Sequence, residues 1–356
     1  IGTSCALHLR SAGFNVSLVD RDGPGEGCSK GNAGYIGVAS LPPLALPGIV
    51  KQAPAMLLNP VHPFVIRWNQ LPRILPWFIR FALNSNREKV ERISDIRRML
   101  LNKAIENYSP LLAEAGESGL IQKSGLLHVY ESEQSYKSAA YSRDICLRRG
   151  IEIQELSGDE VRQMEPAIGE AVARAIYLPQ VGQTVNPYKL TRTIADLFVA
   201  KGGKLIKDEA RGFEVSSGKV KALRTSNGKR KADIFVLAAG AFSRNLSTEL
   251  GCKTPLEAEW GYHILMTNPD VCVTRPILLA GQKIAITPME NGLQMTALAD
   301  FAGLDPKPDY ARAGRIFKKA KPIIPGLNIS LPSKWRGPRP SMPDSLPVIG
   351  RCQGMA

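Results

Sequence analysis

Small and apolar positions recur at helical spacing from Thr3 to Ser11, Gly13 closes that stretch, and Phe14-Asn15-Val16-Ser17-Leu18-Val19-Asp20 then takes the character of a buried strand. The opening therefore predicts a helix followed by a strand, with no strand ahead of the helix. Pro and Trp are frequent from Leu41 to Leu83, and Leu71-Pro72-Arg73-Ile74-Leu75-Pro76-Trp77-Phe78-Ile79-Arg80-Phe81 reads as short helices and turns covering another element. A longer helix is predicted over 88–115, a strand over 126–130 and a helix over 135–149. Residues 187–240 repeat the opening: a helix over 187–200, a strand over 204–206, a hairpin around Asn227-Gly228 and an apolar strand over 234–238. Beyond Pro255 the pattern alternates again, predicting strands over 262–266, 284–287 and 294–299. Parallel α/β character in two separated pieces, with antiparallel material between and after them, predicts an α/β (α+β overall) chain in which a Rossmann-like nucleotide-binding domain is interrupted by a second domain with a mixed or antiparallel sheet.

Composition narrows this picture. The 356 residues are 44% hydrophobic, which suits a folded chain and not a disordered one. Cys5, Cys28, Cys146, Cys252, Cys272 and Cys352 form no CxxC pair, and His8, His62, His128 and His263 do not cluster with them. No metal site is expected, and the spacing points to reduced thiols in a cytoplasmic compartment. The formal charge of +14 is spread over short runs such as Lys229-Arg230-Lys231 and Lys318-Lys319-Ala320-Lys321, a solvated surface and not a nucleic-acid site. No segment reaches the about 18 uninterrupted apolar residues of a membrane span. Residues 1–10 lack the basic region of a signal peptide.

In a dinucleotide-binding unit a strand runs into G-x-G-x-x-G, and an acid about 20 residues later holds the ribose hydroxyls. Gly2 stands where the last glycine would be and Asp20 where the acid would be. Taken alone, each reads equally as a helix-start glycine and a strand-end acid. After Asp20 comes a small-residue loop, Gly25-Glu26-Gly27-Cys28-Ser29-Lys30-Gly31-Asn32-Ala33-Gly34, whose backbone amides and Ser29 and Asn32 side chains are candidates to approach a pyrophosphate or flavin. The apolar strand over 234–238 ends in Ala239-Gly240-Ala241, small enough for a cofactor to lie across the sheet edge.

Taken together, these segments make the chain resemble the D-amino-acid-oxidase superfamily of flavoproteins, and within it the bacterial D-amino-acid dehydrogenase branch. The resemblance covers the whole chain and rests on Lys30-Gly31-Asn32-Ala33-Gly34, Leu71-Pro72-Arg73 with Pro76-Trp77, Val236-Leu237-Ala238-Ala239-Gly240-Ala241, Gly261-Tyr262-His263, and Trp335-Arg336-Gly337-Pro338-Arg339-Pro340 with Asp344, Pro347 and Gly350. It implies an FAD-binding domain formed by 1–40, 185–255 and 335–356, a substrate domain with helical cover formed by 41–184 and 256–334, and Ala210 near the adenine. It places Arg339 against a substrate carboxylate, through the paired hydrogen bonds a guanidinium makes, with Arg336 as a second contact or an ion-pair partner. Tyr262 and His263 fall on the strand beneath the flavin's reacting face, and His128 is assigned to packing. The implied reaction moves the Cα hydrogen of a D-amino acid to FAD as hydride, giving an imino acid that water converts to a 2-oxo acid and ammonia. A quinone or carrier is the implied electron acceptor, and the Arg-flanked 71–83 stretch is read either as a surface resting on a membrane or as a lid on the substrate domain.

The sequence also departs from that pattern. A strand with two glycines is expected before Ile1 and a Gly- and His-containing loop after Ala356, so the chain is read as a fragment; Trp260 stands where close relatives carry arginine. Two other readings stay open: a secondary-amine oxidase or dehydrogenase acting on sarcosine, proline or hydroxyproline, and a nonenzymatic FAD- or RNA-binding subunit.

Overall fold

Helix α1 (Gly2–Ser11) and strand β1 (Ser17–Asp20) open the chain in a computed structural model that describes residues 1–59, 62–329 and 332–352. Residues 353–356 of the expected FAD-binding segment lie outside it. Gly13, at φ 94°, turns the chain out of α1, and the Phe14 amide closes the end on Leu9 O at 3.1 Å. Short β2 (Tyr35–Ile36), helix α2 (Ile49–Leu58) and β3 (Phe64–Ile66) lead to α3 (Leu71–Leu83), a single helix where short pieces were expected. Pro72 sits in its first turn, and Pro76 removes only the bond to the Pro72 carbonyl, so the helix runs on.

The helix expected over 88–115 is instead α4 (Arg87–Leu101) and α5 (Ser109–Glu114), divided because Pro110, without an amide proton, suits the first turn of a new helix. Strands β4 (Ile121–Gln122) and β5 (Leu126–Tyr130) follow, then α6 (Glu133–Ser138) and α7 (Ala140–Arg148), which a turn at Ala139 separates. Next come β6 (Gln154–Ser157), α8 (Gly158–Met164), β7 (Arg174–Leu178) and β8 (Gly182–Thr184). Helix α9 (Pro187–Ala200) begins as its Asn-Pro start dictates: Asn186 Oδ1 accepts the Lys189 amide at 2.9 Å and Pro187 occupies the first turn. The remainder is β9 (Lys204–Lys207), β10 (Ala210–Ser216), β11 (Lys219–Thr225), β12 (Gly228–Arg230), α10 (Ser243–Glu249), β13 (Glu257–Met266), β14 (Ile277–Leu279), β15 (Ile284–Met289), β16 (Gly292–Phe301), α11 (Tyr310–Phe317) and β17 (Ser333–Ser341).

Strand β1 pairs in parallel with β9, Asp20 opposite Lys207, so the two separated α/β pieces meet. A nine-stranded mixed sheet runs β17-β13-β16-β15-β14-β5-β7-β6, with β3 added along β16. Two three-stranded antiparallel sheets, β10-β11-β12 and β2-β8-β4, complete the set. The apolar run over 234–238 forms no strand: no described segment supplies its ladder partners, and Ile234 and Val236 are 73% and 59% exposed. Strand propensity was present; the hydrogen-bonding neighbour was not.

One face of the large sheet carries the main core, which includes Tyr262, Ile286, Met295, Phe317 and Ile324. A second cluster joins Val90 and Ile145 to Leu126 and Ile176, and a third packs α1 on α9 through Leu7, Ile194 and Phe198. Helix α3 lies on the sheet as a cover, Trp77 packing on Phe301 with ring centroids 5.0 Å apart and donating from Nε1 to Ser341 O at 3.2 Å, while Leu75, Ile79 and Leu83 stay exposed. No helix among the described residues is long and apolar enough to cross a membrane. Cys252 and Cys352 form a disulfide, which corrects the expectation of six reduced thiols and removes its argument for a reducing compartment. The partners stand 100 residues apart in sequence, so local spacing carried no sign of the bond.

Trp77→Ala removes a buried indole from an aromatic cluster and takes its donor away from the Ser341 carbonyl. The expected cost is about 3–5 kcal/mol, read as a lowered urea midpoint with unchanged slope.

Candidate active site

Strand β13 pairs with β17 so that Glu259 faces Arg339, Gly261 faces Gly337 and His263 faces Trp335, while Trp260 faces Pro338 and Tyr262 faces Arg336. Successive side chains on a strand point to opposite faces, so these are two different surfaces. Trp260, Tyr262, Ile264 and Met266 enter the main core. There the Trp260 indole donates to Gly303 O at 2.7 Å, the Arg336 guanidinium lies 4.3 Å from the Trp260 ring centre, and Tyr262 Oη accepts the Asp309 amide at 3.1 Å. Tyr262 also donates to Asp300, 3.4 Å away, whose carboxylate is paired with Arg67 at 2.8 Å. Tyr262 is thus directed to the face opposite Arg339 and His263, and one residue of offset along β13 separates them.

On the other face the Arg339 guanidinium is held along one side. Nη1 donates to Glu259 Oε1 at 2.7 Å and to Leu298 O at 2.8 Å. Nη2 and Nε have no acceptor among the described residues, and the Arg339 side chain is 40% exposed while that of Glu259 is 10% exposed. A Cβ on Gly261 would occupy the guanidinium's place, so glycine there lets Arg339 lie flat on the strand. Leu298 sits at φ 73° beside the register shift between β13 and β16, a costly backbone for leucine, and its carbonyl serves Arg339. Next along β13, buried Glu257 pairs with Arg73 of α3 at 2.6 Å and with Arg244 of α10.

The 25–34 loop packs against this face. Gly31 lies so close to Trp335 that any Cβ would enter the indole, and that indole stacks on His263 with centroids 5.1 Å apart. Burial pushes the His263 imidazole below its ordinary value, opposed by a hydrogen bond to the Gly31 backbone, and Nδ1 is buried without a partner among the described residues. Asn32 Oδ1 accepts the Gly34 amide at 2.7 Å, Asn32 O accepts Gln294 Nε2 at 2.6 Å, and Ala33 O accepts Thr287 Oγ1 at 2.7 Å, stitching the loop to β15 and β16. The Cys28 thiol donates to Pro338 O at 2.7 Å, and burial raises it to about 11 against the opposing field of Arg339. Lys30 turns outward to Glu26 at 2.8 Å, and the Ser29 carbonyl accepts the Asn32 amide at 3.3 Å.

The remaining expected residues gather at the carboxyl end of β1. Asp20 Oδ1 accepts the amides of Asp22 and Gly23 at 3.0 and 2.8 Å, and Oδ2 has no donor among the described residues. A Cβ on Gly2 would meet Ala238 Cβ and Leu18 Cδ1 at 3.7 Å, an ordinary contact, so α1, β1 and the 234–240 segment touch without needing glycine at that point. Arg21, next in the chain to Asp20, lies over the ring of Phe242 at 5.2 Å, two residues beyond Gly240, which sits at φ 56°. Ala210 starts β10 three residues beyond Lys207, the partner of Asp20. Two groups therefore form: one around Asp20, Gly2, Ala210, Ala239 and Gly240, the other around Arg339, His263 and the loop. Glu259 and Cys28 join the second group without having been expected there; the alternation Glu257-Ala258-Glu259 within an apolar strand is the signal for the first, and nothing local marks the second.

A family model described as "FAD dependent oxidoreductase" (DAO) matches residues 1–355. The chain is 33% identical over 362 residues to a D-amino-acid oxidase of Bradyrhizobium diazoefficiens, covering 99% of this chain and 85% of that protein. It is 29% identical to a D-amino acid dehydrogenase of Paramagnetospirillum magneticum, covering 98% and 85%. The glycine oxidase of Bacillus cereus superposes with a TM-score of 0.72 at 19% identity, over all of this chain and 84% of that one, which shows a shared fold.

Among the histidines, His128 lies on β5 between β14 and β7, and burial, helped by Lys283, pushes it down to about 4. As pH falls from about 6.5 toward 4 the unfolded chain takes up a proton that the folded chain refuses, so stability falls through that window and levels off below it. Urea midpoints measured from pH 7 to pH 4 are expected to show this loss in the parent and a shallower one in His128→Gln.

Proposed function

Starting from the fact that this chain belongs to the DAO family of FAD dependent oxidoreductases, we propose that it oxidatively deaminates a D-amino acid, binding the substrate carboxylate on Arg339. The observation that carries the reading is the half-used guanidinium: Nη1 is fixed by Glu259 and Leu298 O, while Nη2 and Nε, which lie over Gly261, have no acceptor among the described residues. A guanidinium edge of that kind matches a carboxylate through two parallel hydrogen bonds. The names of the two relatives, D-amino-acid oxidase and D-amino acid dehydrogenase, support the substrate class.

The residues present fit FAD. Asp20 Oδ2 is open for a ribose hydroxyl, the first-turn amides of α1 carry no side-chain cap, and exposed Ile234 and Val236 offer an apolar wall beside Ala239 and Gly240. In this reading Asp20, Gly2, Ala239, Gly240 and Ala210 hold the dinucleotide portion, and Gly31, Asn32, Ala33 and Gly34, with Ser29 and Lys30 on the rim, border the flavin portion. When bound, FAD supplies the acceptance of two electrons and the Cα hydrogen from the amine. The protein's share is orientation. Arg339 fixes the carboxylate and with it Cα, Trp335 and His263 wall the site, and neutral His263 adds no second positive charge beside the ammonium of the substrate. The imino acid released is hydrolysed by water to a 2-oxo acid and ammonia.

Anaerobic mixing with D-alanine is expected to bleach the flavin absorbance, while an amine without a carboxylate does so poorly. A bidentate charge-assisted contact is worth roughly 2–4 kcal/mol, so Arg339→Ala should lose about 30- to 1000-fold in flavin reduction per D-alanine concentration, with Arg339→Lys between it and the parent. Faster bleaching by sarcosine or proline than by any D-amino acid would reassign the substrate to secondary amines. Unchanged D-alanine reduction in Arg339→Ala would remove the clamp.

Asp20→Ala should weaken FAD retention by about 1–3 kcal/mol, measured by equilibrium titration of the apoprotein, while the amino acids that reduce the bound fraction keep their order. Unaltered FAD affinity would assign Asp20 to holding the Asp22 and Gly23 turn alone.

A further inference from the structure

We infer that Glu259 is a positioning residue that sets the direction in which Arg339 presents its open edge. The inference rests on the carboxylate-clamp reading of Arg339. Glu259 lies directly opposite Arg339 in the β13–β17 register, on the same face, and its carboxylate is almost wholly buried while the guanidinium it holds is not. A buried carboxylate beside a half-exposed arginine is poor stabilising material, because desolvation offsets most of the attraction. Its effect is geometric. An arginine side chain has several rotatable bonds, and here three constraints remove that freedom: the Glu259 oxygen at 2.7 Å, the Leu298 carbonyl at 2.8 Å, and the flat floor left by Gly261. Both hydrogen bonds fall on Nη1, so the fixed partners lie along one side, and Nη2 and Nε, resting over Gly261, keep donors with no acceptor among the described residues.

The strained backbone at Leu298 belongs to the same device. A leucine at φ 73° in a strand survives only where its surroundings demand it, and here the turned carbonyl completes the seat for Nη1. Glu257 is occupied by Arg73 and Arg244, so it cannot replace Glu259.

Positioning and charge balance make opposite predictions for two conservative variants. Glu259→Gln keeps an oxygen at the same reach and removes the charge; Glu259→Asp keeps the charge and withdraws the oxygen by about 1.5 Å. Flavin reduction by D-alanine in the FAD-loaded enzyme, resolved into limiting rate and half-saturating concentration, reads the difference. If Glu259 positions Arg339, half-saturation rises about 10- to 100-fold in Glu259→Asp and less than about 3-fold in Glu259→Gln, with limiting rates within about 3-fold of the parent. In an Arg339→Ala background neither change should move half-saturation by more than about 2-fold, because no guanidinium remains to be aimed. Urea midpoints of all variants separate these effects from loss of fold.

The reverse order, Asp near the parent and Gln impaired, would overturn the inference in favour of charge balance. Equal effects of Glu259→Asp with and without Arg339 would overturn it in favour of a general structural role. If Arg339→Ala leaves D-alanine half-saturation unchanged, the clamp reading fails by itself; if Arg339→Ala raises it and Glu259→Asp does not, only the role of Glu259 fails.

Discussion

The pairing of β13 with β17 is the constraint on which the rest of the site depends. Its register sets Glu259 against Arg339, Gly261 against Gly337 and His263 against Trp335, and the two-residue period of a strand sends every alternate pair into the core. A slip of β17 by one residue would set Arg339 opposite Ala258 or Trp260 and turn its side chain to the face that Arg336 now occupies. The core anchors against such a slip, because Trp260, Tyr262, Ile264 and Met266 are all committed to it.

Charge is distributed over the same strand. Glu257 and Glu259 are buried carboxylates, and they draw in Arg73 from α3, Arg244 from α10 and Arg339 from β17. Removing one partner from such a pair leaves an uncompensated buried charge, so each arginine holds its element to β13 more by what its loss would cost than by what the pair adds. The cover helix, the helix after the Gly240 turn and the edge strand of the large sheet thereby share one point of attachment. Of the three arginines, Arg339 is the one whose charge acts on the Cys28 thiol of the 25–34 loop.

That loop joins the two groups of functional residues. It leaves the end of β1 at Asp20, and within fourteen residues its carbonyls are bonded to Gln294 and Thr287 of the large sheet. The parallel β1–β9 pair and the large mixed sheet are thus coupled by covalent chain at one end and by glycine-permitted contact at the other, Gly31 resting on Trp335. Such an arrangement suits a ligand long enough to reach from an adenosine end to a reacting end, as FAD is.

Local chemistry alone determined much of this. The helix over 187–200 follows from Asn186-Pro187 and its apolar face, the strand over 126–130 from an apolar run interrupted only by His128, and the hairpin at Asn227-Gly228 from its turn residues. The segments carrying the family resemblance were legible too, because glycines and paired arginines are tied to close approach and carboxylate recognition. Tertiary structure decided what depends on a distant partner: the unpaired run over 234–238, the Cys252–Cys352 bond across 100 residues, the face on which Tyr262 lies, and the seat that Glu259 and Leu298 build for Arg339. A sequence states which groups a residue carries and how often they recur; which other strand lies opposite, and in what register, is fixed only when the core closes.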